Sequence, residues 1–184
     1  KNFLDSVRIL ADKALSLDDQ LADAYRTKGY YYREKGLNEQ AIKEFDKALR
    51  YNPNDYLAYY NKGNVLRWGL GDYFQGIKNL HQAVIRNRGV DSPVYLRSLG
   101  YSYSDMGFWE KAKYYYTEAL TLDRDSAIYF HLLARIEFNS ENFGEAFKLE
   151  KRAWGFDTTR ISFVGYLESS YYVPDSLNYE AYSI

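Results

Sequence analysis

The chain has no cysteine. Disulfides, thiolate nucleophiles and Cys-ligated zinc are therefore excluded. Only three prolines interrupt its 184 residues, which leaves long stretches open to helix. No apolar run approaches the roughly 18 residues of a membrane span, and no signal-peptide pattern opens the chain. An excess of one charge is lacking too: 24 Lys and Arg stand against 25 Asp and Glu, for a net charge of −1 and a pI near 6.2. That balance makes a poor partner for nucleic acid, whose binding needs several uncompensated basic groups. The expected setting is a reducing, cytoplasmic one. The first residue is Lys1 rather than Met, so a segment of a longer protein is expected.

What the chain does have is aromatic and periodic. Apolar residues make up 46% and charged residues 27%, the balance of a folded chain, and 21 tyrosines suit surfaces that bury a ring and keep a hydroxyl wet. Gly29, Gly63, Gly100 and Ala134 occupy one recurring small-residue position. Ala41, Phe45 and Ala48 follow Gly29; Ala112, Tyr116 and Ala119 follow Gly100 at the same spacing; Ala146 and Ala153 follow Ala134 likewise. The copy beginning at Gly63 continues with Gly76, Leu80 and Ala83, one residue later. Small residues on facing helices allow close approach, and large ones such as Tyr25, Tyr32 and Phe45 fill the space between. Gly36, Gly71 and Gly107 fall where each first helix ends, and glycine enters a left-handed turn there at least cost. Asn52-Pro53-Asn54, Asn87-Arg88-Gly89 and Asp123-Arg124-Asp125 read as turns and helix N-caps.

This pattern resembles the tetratricopeptide repeat family. Residues 22–55 match it through Tyr25, Gly29, Tyr32, Gly36, Ala41, Phe45, Ala48 and Pro53. Residues 93–126 match through Leu99, Gly100, Tyr103, Gly107, Trp109, Ala112, Tyr116, Ala119 and Leu120. Residues 56–92 match with a one-residue insertion near Leu70 and an extension around Arg88–Ser92. Residues 127–158 depart more, with Glu150 in a bulky apolar place and Glu141 in that of the turn glycine. The resemblance implies an all-α, right-handed α-solenoid of helix-turn-helix repeats. Residues 1–20 carry the second helix of a truncated repeat, 21–158 hold four repeats, 159–171 form a capping helix and 172–184 a tail. Helices are expected near 2–17, 21–35, 38–51, 55–69, 73–87, 92–106, 109–122, 126–140, 143–156 and 159–171.

In that family the first helix of each pair lines a concave groove. The implied groove positions are Asp23, Arg26, Tyr30 and Arg33, then Leu57, Tyr60, Asn64 and Arg67. Val94, Arg97, Tyr101 and Ser104 follow, then Ile128, His131, Arg135 and Phe138. Arginine and tyrosine dominate these positions, and both are frequent at binding hot spots. The ligand this implies is an extended acidic or carboxylate-bearing peptide; the alternative is that the arginines pair with acids of the chain itself. A clamp for a chaperone's C-terminal carboxylate, also known in the family, would fall on Arg26, Tyr30, Asn61, Val94 and Ser98. Of these only Asn61 agrees in type, which argues against that clamp.

Catalysis finds no support. His81 and His131 are the only histidines and neither has a neighbouring ligand motif. Asp123 and Asp125 lack the glycine and distal glutamate of a calcium loop. No phosphate-cradling glycine loop and no nucleophile elbow occur. Neither a metal nor a cofactor is expected. The tryptophans Trp68, Trp109 and Trp154 read as buried, with Trp68 of interest beside the insertion. The expected function is a protein-interaction scaffold. The alternatives are the sensory or regulatory part of a larger bacterial signalling protein or transcription regulator, and an envelope assembly factor. The acidic tail 172–184 could enter the groove of a second copy.

Overall fold

The structure, a computed structural model, describes residues 3–87, 92–123 and 127–156. The capping helix expected at 159–171, the tail at 172–184, and the turn residues Arg88, Gly89, Arg124 and Asp125 lie outside the described residues. Among the described residues every regular element is helical: α1 (Phe3–Leu17), α2 (Ala22–Glu34), α3 (Asn38–Tyr51), α4 (Tyr56–Asn64), α5 (Tyr73–Arg86), α6 (Ser92–Asp105), α7 (Trp109–Leu122), α8 (Ala127–Asn139) and α9 (Phe143–Phe156). A π-helical turn, Val65–Gly69, continues α4. The chain forms two compact units, one ending at Ser102 and the other beginning at Tyr103.

In the first unit α2 packs on α3, and α4 with its π-turn packs on α5. The small-residue rows are what permit this. A Cβ added at Gly29 would lie 2.5 Å from Cε1 of Phe45, and one at Gly63 would lie 2.9 Å from Cγ of Leu80 and 3.0 Å from the Gly76 carbonyl oxygen. Phe45 fills the space so created and is fully buried with Ala41, Ala48, Ala58 and Val65, while Tyr25, Tyr32, Ile42 and Leu49 close the edges. Burying one such phenylalanine contributes roughly 1.5–3 kcal/mol.

In the second unit α8 packs on α9 and α7 packs on α8. Its core holds Tyr116, Tyr129, Leu132, Ile136, Ala146 and Ala153. Trp154 packs with Phe143 against Phe147, so this tryptophan does enter a core. Trp68 does not: it is 63% exposed, contrary to the sequence reading.

Helix ends follow local chemistry. Gly36, Gly71 and Gly107 all take positive φ, and Glu141 takes φ 60° in the fourth such turn. The N-cap of α4 is Asp55, whose carboxylate accepts from the Ala58 amide at 3.0 Å. Asn52 instead shapes the turn before it, accepting from the Asn54 amide at 3.1 Å.

Candidate functional site

The inserted residue of the second pair determines the local architecture. Seven positions separate Gly29 from Gly36 and Gly100 from Gly107, but eight separate Gly63 from Gly71. Each turn keeps its positive-φ residue. The closing bond runs from the Leu37 amide to the Tyr32 carbonyl, from Phe108 to Tyr103 and from Asn142 to Glu137, each at 2.9 Å. In the second pair the same bond joins the Asp72 amide to the Leu66 carbonyl, also at 2.9 Å, one residue wider. The extra residue is therefore taken up inside the helix as the π-turn Val65–Gly69. Such single-turn widenings concentrate at functional positions.

The widened turn redirects its side chains. Arg67 is only 3% exposed, and its backbone lies so close to α5 that a Cβ on Gly76 would sit 3.1 Å from its own Cβ. Its guanidinium donates to the Ser98 carbonyl at 2.7 Å and to the Ser102 hydroxyl at 2.6 Å, both on α6. The sequence reading placed Arg67 toward a ligand; here its hydrogen bonds go to the neighbouring helix. Trp68 takes the outward place, with the Arg67 Cζ 4.2 Å from its ring centroid. The Gly69 carbonyl accepts from Asn38 Nδ2 at 3.0 Å, and a Cβ on Gly69 would lie 2.5 Å from that asparagine's side chain and push it aside.

Around this turn lies an open cavity of about 510 Å³ within the first unit. α2 supplies Arg33 and Glu34, α3 supplies Asn38, and α4 with the π-turn supplies Tyr60, Asn64, Val65, Arg67, Trp68 and Gly69. α6 supplies Arg97, Ser98 and Tyr101. Arg33, Tyr60, Asn64, Arg67, Arg97 and Tyr101 were all assigned to a binding surface from the sequence, and here they line one cavity. Glu34, Asn38, Ser98 and the outward Trp68 were not. Ser98 arose only in the rejected clamp, and Trp68 was noted only for its place beside the insertion.

The charges of this cavity are unequal in availability. Arg33 stacks over Tyr30 at 4.4 Å, pairs with Glu34 at 2.7 Å and donates to Asn61 Oδ1. Asn61 in turn donates to the Leu57 carbonyl at 2.8 Å. Arg97 makes no ion pair with any described residue. Glu34 is the only acid among the lining residues, beside three arginines.

The other sequence-chosen residues stand elsewhere. Arg26 pairs with the buried cap Asp55 at 2.8 Å and with Asp23 at 3.0 Å, which makes it a brace between pairs. Tyr30 and Asn61 support Arg33 without lining the cavity. His131 and Arg135 belong to the second unit. The Nδ1 of His131 lies 2.7 Å from the buried carboxylate of Glu150, while Arg135 is exposed.

Residues 29–67 match the family model described as TPR repeat. Human tetratricopeptide repeat protein 6 is 24% identical over 145 residues, which take in 79% of this chain and 27% of that protein; the chain thus spans about a quarter of that curated relative's length. Among solved structures, MamA superposes with a TM-score of 0.75 at 21% identity, covering 84% of this chain and 89% of MamA. YrrB, described as a TPR protein with an unusual peptide-binding site, gives a TM-score of 0.73 at 23% identity over 90% of this chain and 84% of its own. PilF of Pseudomonas aeruginosa gives 0.77 at 18% identity over 97% and 88%. These likenesses place the fold among tetratricopeptide solenoids.

Proposed function

We propose that the cavity around the π-turn of this chain, which shares the repeat pattern and fold of tetratricopeptide proteins, holds an extended, carboxylate-bearing segment of a partner protein. The role is binding rather than catalysis. One observation carries the choice of an acidic ligand: Arg97 lines the cavity and no described acid pairs with it. A guanidinium presents a donor fork matched to a carboxylate, and a charged hydrogen bond of this kind contributes about 1.5–3 kcal/mol. Arg33 lies on the same wall system but already has Glu34. The peptide-binding description of YrrB supports the same reading by likeness of fold.

The test is a titration of the chain with a fluorescein-labelled peptide, Gly-Ser-Glu-Ser-Glu-Ser-Gly, read by anisotropy. Arg97→Gln should weaken binding about tenfold or more. Arg26→Gln should lower the melting temperature through the loss of the Asp55 brace and leave the affinity of the folded chain unchanged. An Arg97→Gln variant that binds as tightly as the parent would remove the proposal.

A further inference from the structure

The cavity holds more than a cation. Trp68 is 63% open to solvent, and its position is fixed from several sides. Arg67 stacks on the indole and is itself tied to α6 through Ser98 and Ser102. Asn38 holds the following carbonyl of Gly69. A ring held this way presents its surface with little left to order on binding. Tyr60 and Tyr101 line the same cavity, with Tyr60 edge-on to Tyr95 at 4.8 Å between centroids.

We infer that the Trp68 platform selects an aromatic side chain next to the carboxylate that Arg97 binds, so that the ligand is an acidic peptide segment carrying Phe, Tyr or Trp. The inference rests on the groove reading above and specifies its ligand. Charge decides against the other guest an exposed indole could take, a cationic side chain. The lining holds three arginines and one acid, and Arg67 already occupies the cation's place over the ring. An aromatic ring adds apolar burial and a stacked or edge-on contact without opposing that field.

The experiment uses the full chain and three fluorescein-labelled peptides read by anisotropy: Gly-Ser-Glu-Phe-Glu-Ser-Gly, the same with Ser for Phe, and the same with Gln for both Glu. The Phe peptide should bind about tenfold tighter than the Ser peptide, from ring burial and stacking together. Trp68→Leu should erase that preference, so that the variant binds the Phe and Ser peptides alike. Trp68→Phe should retain most of the preference, which separates loss of the platform from loss of the fold. The Gln peptide should bind weakly to every variant. Equal affinity for the Phe and Ser peptides, or a preference that survives Trp68→Leu, would overturn the aromatic subsite and leave the acidic groove standing. Tight binding of the Gln peptide, or of no peptide at all, would overturn both.

Discussion

The α2–α3 and α8–α9 pairs place different chemistry at equivalent points. In the first, Phe45 is fully buried against Gly29, and the intervening turn is made by Gly36 at φ 72°. In the second, the corresponding residue is Glu150, facing the helix of Ala134, and the turn is made by Glu141 at φ 60°. Glu150 is also buried, and His131 from the facing helix reaches its Oε1 at 2.7 Å while its Oε2 has no hydrogen bond. The backbone of a helix pair thus survives a polar core residue when the facing helix supplies a partner. His131 shares its repeat position with Arg26 and Arg97, so in α8 that position serves internal packing. The difference should appear as stability: the first pair is closely packed and the second holds a half-satisfied carboxylate.

The largest effect should come from opening the better core. Phe45→Ala should cost about 3–5 kcal/mol, because Gly29 and Ala41 offer no bulk to refill the space. Urea unfolding monitored by circular dichroism measures it. A loss below about 1 kcal/mol would mean that the pair does not rely on this ring. Glu150→Leu is the converse experiment. It replaces a buried carboxylate with the residue type found at Leu80, and His131, one-quarter exposed, can turn to water. Exchanging buried ionic groups for apolar ones of similar volume is often stabilising by about 1–4 kcal/mol. We expect the low end, near 1 kcal/mol, as a higher unfolding midpoint. A lower midpoint would show that the His131–Glu150 contact stabilises the second unit as it stands.

The turns give a smaller effect. A non-glycine residue in the left-handed region costs roughly 1–2 kcal/mol, part of which glycine returns through its own chain entropy. Glu141→Gly should therefore stabilise by about 0.5–1 kcal/mol, and the same midpoint measurement would detect it. Gly36→Ala should destabilise by a similar amount, since nothing surrounds that position and only backbone strain is in play.

Much of this organisation could be read in the sequence because it depends on spacing. Residues 38–51, 109–122 and 143–156 were assigned to helices whose ends the structure reproduces. Gly29 and Ala41 were read as the small residues of facing helices, with Phe45 among the large ones that fill the space between. The insertion near Leu70 was also visible, as one residue too many before Gly71. Its destination was not, because a loop and a widened helix turn have the same length in sequence. The π-turn then changed two assignments at once, burying Arg67 and exposing Trp68. Arg26 was hidden for another reason. Its partner Asp55 is 29 residues away and lies on the next pair, and no local pattern announces a contact of that range. Arg97 needed the structure to reveal it as the cavity arginine without a described acid.

The finest contrast between the two units lies one residue before the core position. In α3 that residue is Glu44, which pairs with Lys47 at 2.8 Å; in α7 it is Tyr115, stacked on Tyr103 with centroids 5.4 Å apart and planes within 4°. Burial pushes the Tyr115 hydroxyl up from 10.0 to about 12, with smaller contributions from Tyr103 and Tyr114. Between those two pH values the folded chain keeps a proton that the unfolded chain releases. Stability from this group is therefore complete below the unfolded tyrosine value and declines as pH rises toward about 12. Tyr115→Phe should remove one late-titrating phenolate from the ultraviolet difference spectrum and lessen the alkaline fall in melting temperature. It should leave the neutral-pH midpoint within about 0.5 kcal/mol, since the ring and its stacking remain. An unchanged alkaline slope would mean that Tyr115 titrates alike in folded and unfolded chains, and the stacked pair would then differ from the Glu44 site in packing alone.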